Sequence, residues 1–154
     1  KLGLTEFNPE LFKKLMQLMT HDDVDYTIFF RELSHIPDDV SALKKSFYVK
    51  TSQQLDEQWQ SWLKSWRGLL PDDNLAEIST NMKQINPKYT WREWLIVPAY
   101  QQAMQGDYTL VKELQEVLSH PYDEQSQEIE DKYYRLKPKA FFDTGGVSHY
   151  SCSS

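Results

Sequence analysis

The sequence predicts an all-α protein, an irregular helical domain of about six to eight helices with a mostly irregular C-terminal tail. Three observations carry this reading. Apolar residues recur three and four positions apart along most of the chain, while the period-two alternation of a half-buried strand is almost absent. Asn-Pro pairs at Asn8-Pro9 and Asn86-Pro87 have the form of helix starts: the asparagine can cap and the proline suits the first turn. Glycine or proline then punctuates the ends, at Pro37, Gly68 and Gly106.

Taken in order, the first helix opens at Asn8-Pro9-Glu10 and lines up Leu11, Phe12, Leu15, Leu18 and Met19 on one stripe. Asp22 and Asp23 can open a second, with Tyr26, Phe29, Phe30 and Leu33 inward, ended at Ile36 because the residue before Pro37 is pushed out of the α region. Asp38 or Asp39 caps a short helix running to Phe47. A longer helix follows from Ser52 to Arg67, with Leu55, Trp59, Trp62, Leu63 and Trp66 on one face and Gly68 as its stop. Pro71-Asp72-Asp73 starts the next, with Leu75, Ile78, Met82 and Ile85 inward. Asn86-Pro87 opens a helix holding Tyr89, Trp91, Trp94 and Leu95, which Pro98 should kink or split. Tyr108 to Leu118 is the last clear helix, after Gly106-Asp107. From His120 the periodicity fades. The expected organisation is a helical domain over residues 1–119 and an extended tail over 120–154 that carries the terminal cysteine motif.

The 154 residues, 40% of them hydrophobic, suffice for one domain with a real core. A net charge of -6 argues against a nucleic-acid surface, which would carry a basic stripe. No apolar run approaches the ~20 residues of a membrane span, and no export signal stands at the start. The single cysteine, Cys152, leaves no intrachain disulfide, so the expected compartment is the reducing cytoplasm. The opening KLGLTEFNPE, with Lys1 in place of a methionine, reads as a cut from a longer protein.

Catalytic apparatus is missing from the pattern. Gly145-Gly146 lacks the Lys-Ser/Thr of a phosphate loop, and no nucleophile elbow, zinc-protease or kinase catalytic-loop signature occurs. The groups His21-Asp22-Asp23 with Asp25, and Asp72-Asp73, could offer oxygens to a hard cation. Both lie at predicted helix starts, where carboxylates serve capping and the dipole. His21, His35, His120 and His149 stand far apart without ligand spacing. The tryptophans Trp59, Trp62 and Trp66 could stack a ligand, but their spacing is that of a helical face packed in a core or at a domain interface, and Trp91 and Trp94 are read the same way. The run His120-Pro121-Tyr122-Asp123-Glu124-Gln125 is either a plain loop or a place where Tyr122 anchors and Asp123 and Glu124 accept hydrogen bonds from a neighbouring segment. We therefore expect no catalytic, cofactor-binding or metal-binding residue in this chain. Cys152, on a short polar arm behind Gly145-Gly146, has no neighbour in sequence that would lower its thiol pKa.

Four stretches together resemble the C-terminal part of the selenoprotein O (SelO, bacterial YdiU) family: DYTIFFREL at 25–33, INPKYTWREWL at 85–95, GDYTLVKELQEVLSHPYDEQ at 106–125 and the terminal SCSS at 151–154. The initial KLGL also resembles the segment entering this region. The resemblance implies a longer parent, a pseudokinase with a kinase-like catalytic domain N-terminal to Lys1. That parent would bind ATP with Mg²⁺ or Mn²⁺ in a flipped orientation and transfer AMP to hydroxyl side chains of proteins. Its nucleotide, metal and catalytic residues belong to that other part, so none is carried over. This chain would be scaffold extending the large lobe of the kinase-like fold, with its own N-terminal catalytic domain and the parent's protein substrates as partners. By the same resemblance Cys152 matches a position that is selenocysteine in many animal members and cysteine in bacterial ones. It is thus a redox candidate that would pair with a cysteine of the catalytic domain. The rival expectation is a stand-alone helical interaction module. A metal-dependent hydrolase would need converging carboxylates that the sequence does not show.

Overall fold

The computed structural model describes residues 1–142, and among these every regular element is helical. The chain divides into two compact units, one of residues Lys1–Pro87 and one from Lys88 onward.

The first unit is built on four α-helices: α1 (Pro9–His21), α2 (Tyr26–Leu33), α3 (Gln53–Arg67) and α4 (Leu75–Ile85). Asn8 caps α1 by accepting from the Leu11 N–H at 2.9 Å, and Pro9 takes the first turn, as the sequence predicts. The buried stripe is Leu11, Leu15 and Leu18; Phe12 lies at its exposed edge and Met19 is half-buried. Helix α2 starts later than expected. Its cap is Asp25, which accepts from the Ile28 N–H at 3.0 Å. The two aspartates before it are otherwise engaged. Asp22 is buried under α3, and residues 23–25 run extended beside 46–48 through the Val24–Phe47 bridge. Tyr26, expected inward, is 47% exposed, and Ile28 takes its place in the core with Phe29, Phe30 and Leu33.

Asp39 caps the next segment, but Val40–Ser46 winds as a 3-10 helix instead of an α-helix. Ser52 caps α3, whose face of Trp59, Trp62, Leu63 and Trp66 is the centre of the core. A 3-10 turn over Asp72–Asn74 leads into α4, which buries Ile78 and Met82 but leaves Ile85 exposed, against expectation. Arg31 crosses from α2 to the end of α4, donating from Nη1 to the carbonyls of Lys83 (3.0 Å) and Asn86 (3.2 Å). Asn86 does not open a helix. Its side chain is buried and donates to the Lys1 carbonyl at 2.9 Å and Ser34 Oγ at 3.0 Å, so it serves as a tie.

In the second unit the helices are α5 (Glu93–Met104), α6 (Thr109–Ser119) and α7 (Gln127–Tyr133). Residues 88–92 are not helical because the Lys88 and Tyr89 N–H groups turn to the Pro121 carbonyl, at 2.8 and 3.1 Å. Helix α5 runs as one element through Pro98, so the split the sequence allows does not occur; the ring removes the donor that would reach the Trp94 carbonyl. It packs on α6, and Trp94, Leu95, Ala99, Leu114, Val117, Tyr133 and Tyr134 are buried. Trp91 is 69% exposed, so it does not pack in the core of this unit. Helix α7, capped by Ser126, and a 3-10 turn at Lys139–Phe141 stand where the sequence suggests an irregular tail. No helix of the described residues is long and apolar enough to cross a membrane.

Candidate functional site

Packing explains the tryptophan stripe completely. Trp59 and Trp66 are fully buried and Trp62 nearly so. Each indole N–H has a protein acceptor: Trp59 donates to Asp22 Oδ2 (2.6 Å), Trp62 to the Leu11 carbonyl (3.0 Å) and Trp66 to the Leu2 carbonyl (2.8 Å). A buried indole left without such a partner would cost about 1–3 kcal/mol. Trp62 and Trp66 stack on each other, centroids 6.1 Å apart and planes within 3°. Their faces are spent on each other and on the core, so no platform remains for a ligand.

The buried aspartates are likewise committed. Asp22 holds Trp59, Asp25 caps α2 and accepts from the Tyr48 hydroxyl, and Asp72 and Asp73 lie in the exposed 3-10 turn before α4. Among the described residues no three His, Cys, Asp or Glu side chains converge as a metal site would require. His21, His35 and His120 are exposed at separate places. His149, Gly145, Gly146 and the redox candidate Cys152 lie outside the described residues.

One buried cluster of titratable groups is only hinted at by the sequence. Lys88 is 5% exposed and lies between two carboxylates, Glu124 Oε2 at 2.5 Å and Glu130 Oε2 at 2.6 Å. The rings of Tyr134 and Tyr89 flank its ammonium at 5.1 and 5.9 Å. Thus Glu124, in the run that left two readings open, does accept from a neighbouring segment, while Tyr122 is exposed and anchors nothing in the core. Burial opposes the charge on Lys88, but the bonds it donates to Glu124 and Glu130 outweigh it and hold its pKa above the ordinary lysine value. Burial foremost pushes the Tyr89 phenol up.

A second cluster joins α6 to α7. Glu113 accepts from Lys132 Nζ at 2.5 Å and from the Tyr133 hydroxyl. Burial disfavours the Glu113 charge, yet these two donors more than compensate and lower its pKa, while burial and the nearby carboxylate raise that of Tyr133. The directions decide what the clusters can do. A lysine or tyrosine acting as a base or nucleophile at neutral pH needs its pKa lowered. Here both kinds of group are pushed the other way, so these are clamps between segments. The sequence signal for them was weak: an acid-rich loop, and a glutamate and a tyrosine twenty residues apart.

Comparison with known proteins fits a chain whose polar groups are spent on holding helices together. A family model described as protein adenylyltransferase SelO matches residues 1–119. The chain belongs to the SelO family. Among its relatives, a protein nucleotidyltransferase YdiU from Xanthomonas axonopodis pv. citri (strain 306) is 36% identical, and one from Aromatoleum aromaticum (strain DSM 19018 / LMG 30748 / EbN1) is 32% identical. Each alignment covers 100% of this chain and 31% of the relative. The SelO resemblance carried by the four stretches and the all-α expectation both hold. This SelO chain thus spans under a third of the length of the nucleotidyltransferases it matches.

Proposed function

We propose that this chain is the C-terminal helical scaffold and regulatory segment of a SelO-type enzyme that transfers AMP from ATP to Ser, Thr or Tyr hydroxyls of proteins. The observation that carries the reading is the alignment of the entire chain with 31% of each nucleotidyltransferase relative. In the reaction, the hydroxyl oxygen bonds to the α-phosphorus, the bond to the bridging oxygen of the β-phosphate breaks, and pyrophosphate departs. The hydroxyl proton passes to a base, and Mg²⁺ or Mn²⁺ held by the longer protein would offset the phosphate charge. Those steps belong to the kinase-like catalytic domain of the longer protein, acting in the reducing cytoplasm. This chain's contribution is rigidity: the buried Arg31, Trp59 and Lys88 each donate to acceptors from other segments. By the family resemblance, Cys152 supplies the redox control through a cysteine of the catalytic domain.

Incubating the 154-residue chain and its full-length parent separately with ATP labelled on the α-phosphate, with Mg²⁺ or Mn²⁺, tests this. Label on protein is expected with the parent alone. Label transferred by the chain by itself would overturn the scaffold reading, and an unlabelled parent would overturn adenylyl transfer.

A further inference from the structure

In the first unit, α1 and α3 leave an open groove between them, with a volume of about 1250 Å³. That exceeds the ~300–1,000 Å³ of a small-molecule site and suits a peptide. Its lining has an unusual charge balance for a chain of net -6: Lys13 and Lys14 contribute, and no carboxylate of the described residues does. Lys13 and Lys14 are exposed, and neither forms an ion pair or hydrogen bond with any described residue. By contrast Lys44, Arg67, Lys88 and Lys132 each have a carboxylate partner. The α3 edge presents Gln58, Ser61 and Ser65, uncharged and mostly short, which lets another helix approach. Hydroxyls on both edges fold back on their own helices, Thr20 to the Met16 carbonyl and Ser65 to the Ser61 carbonyl. Apolar footing comes from Phe12 and Met16, one turn apart on α1.

We propose that this groove docks an acidic amphipathic helix of a partner protein. The partner's apolar face covers Phe12 and Met16, and its carboxylates meet Lys13 and Lys14 at the rim. Charge complementarity selects this occupant: a basic helix has no carboxylate to meet in the groove, and an anionic membrane or a nucleic acid is repelled by the chain as a whole. The inference does not depend on the adenylyl-transfer reading.

The test titrates the full chain into a fluorescein-labelled amphipathic peptide of about four helical turns, with leucines on one face and glutamates on the other. A twin peptide carrying lysines for the glutamates, and vesicles of anionic lipid, serve as comparisons. Saturable binding of the glutamate peptide, about tenfold tighter than its twin and weakened as salt rises, is expected. The variant Lys13→Glu/Lys14→Glu should reverse the preference while its circular dichroism and melting stay unchanged, since both side chains are exposed. Phe12→Ala, at the groove edge, should weaken both peptides. Equal binding of the twins, indifference to the double charge reversal, or preference for the vesicles would overturn the proposal. So would self-association in sedimentation that Lys13→Glu/Lys14→Glu abolishes, since the occupant would then be a second copy.

Discussion

Gly3 adopts φ 68°, and a Cβ built there would stand 2.7 Å from both Ile78 Cγ2 and Met82 Sδ. Both the backbone angle and the close approach to α4 therefore exclude a side chain. Gly3→Ala should cost about 2–4 kcal/mol, the sum of the left-handed penalty and of overpacking. Urea unfolding would show it as a lower midpoint with an unchanged slope. Gly106 is the internal control: at φ 86° it has nothing within 4 Å of a built Cβ. Gly106→Ala should lose only the backbone part, about 1 kcal/mol. Equal losses at the two positions would refute the packing account of Gly3. Ile36 presents the opposite case, a β-branched residue at φ 53° that the protein retains. Its side chain is buried, its N–H bonds the Leu33 carbonyl at 2.9 Å and its carbonyl accepts from Arg67 Nη1 at 2.5 Å. The following Pro37 disfavours the right-handed alternative.

Between elements, the Glu113 contact of α6 with α7 has a definite pH signature. Its carboxyl pKa is lowered from 4.5 on folding, so its stabilisation is present above that value and drains away as pH falls through the folded value. Lys88 and Tyr133, both raised, act at the other end: their contribution holds through neutrality and is lost only as pH rises through their folded values. Thermal melting between about pH 7 and pH 3 should therefore show a loss that is smaller in Glu113→Gln, which has no charge to surrender. Parallel curves for the two proteins would exclude the contact as a source of acid sensitivity. The same elements show what was readable in the sequence. Helices α1 and α3 were legible because cap, stripe and stop agree locally, as Asn8 with Leu11, Leu15 and Leu18 illustrates. Helix α7 was not, because its seven residues carry few apolar anchors and its position rests on Ser126 and on distant Glu113. Asn86-Pro87 misled for a related reason: the asparagine's hydrogen bonds go to Lys1 and Ser34, residues far away in the chain. Tyr26, Ile85 and Trp91 fit an inward stripe by spacing alone, and only tertiary packing decides that they face water. The Lys88 clamp escaped for the same cause, since its partners lie 36 and 42 residues onward.

Across the whole molecule, the two units divide the indoles three to two. Trp59, Trp62 and Trp66 lie in the first, and Trp91 and Trp94 in the second. Four are buried and Trp91 is open to water. Intrinsic emission should accordingly split into a blue component that iodide does not reach and a red one that it quenches. Trp91→Phe should remove the red component alone, and quenching that survives this variant would contradict the packing described. The crossed pair of Trp59 and Trp62, 6.4 Å apart with planes at 80°, adds a further property. An excited ring passes its energy to a neighbour turned across it before it emits, so the blue light should leave the core depolarised. The helix that holds the first unit together thereby carries a built-in optical reporter, and loosening of that core would register as a recovery of polarisation.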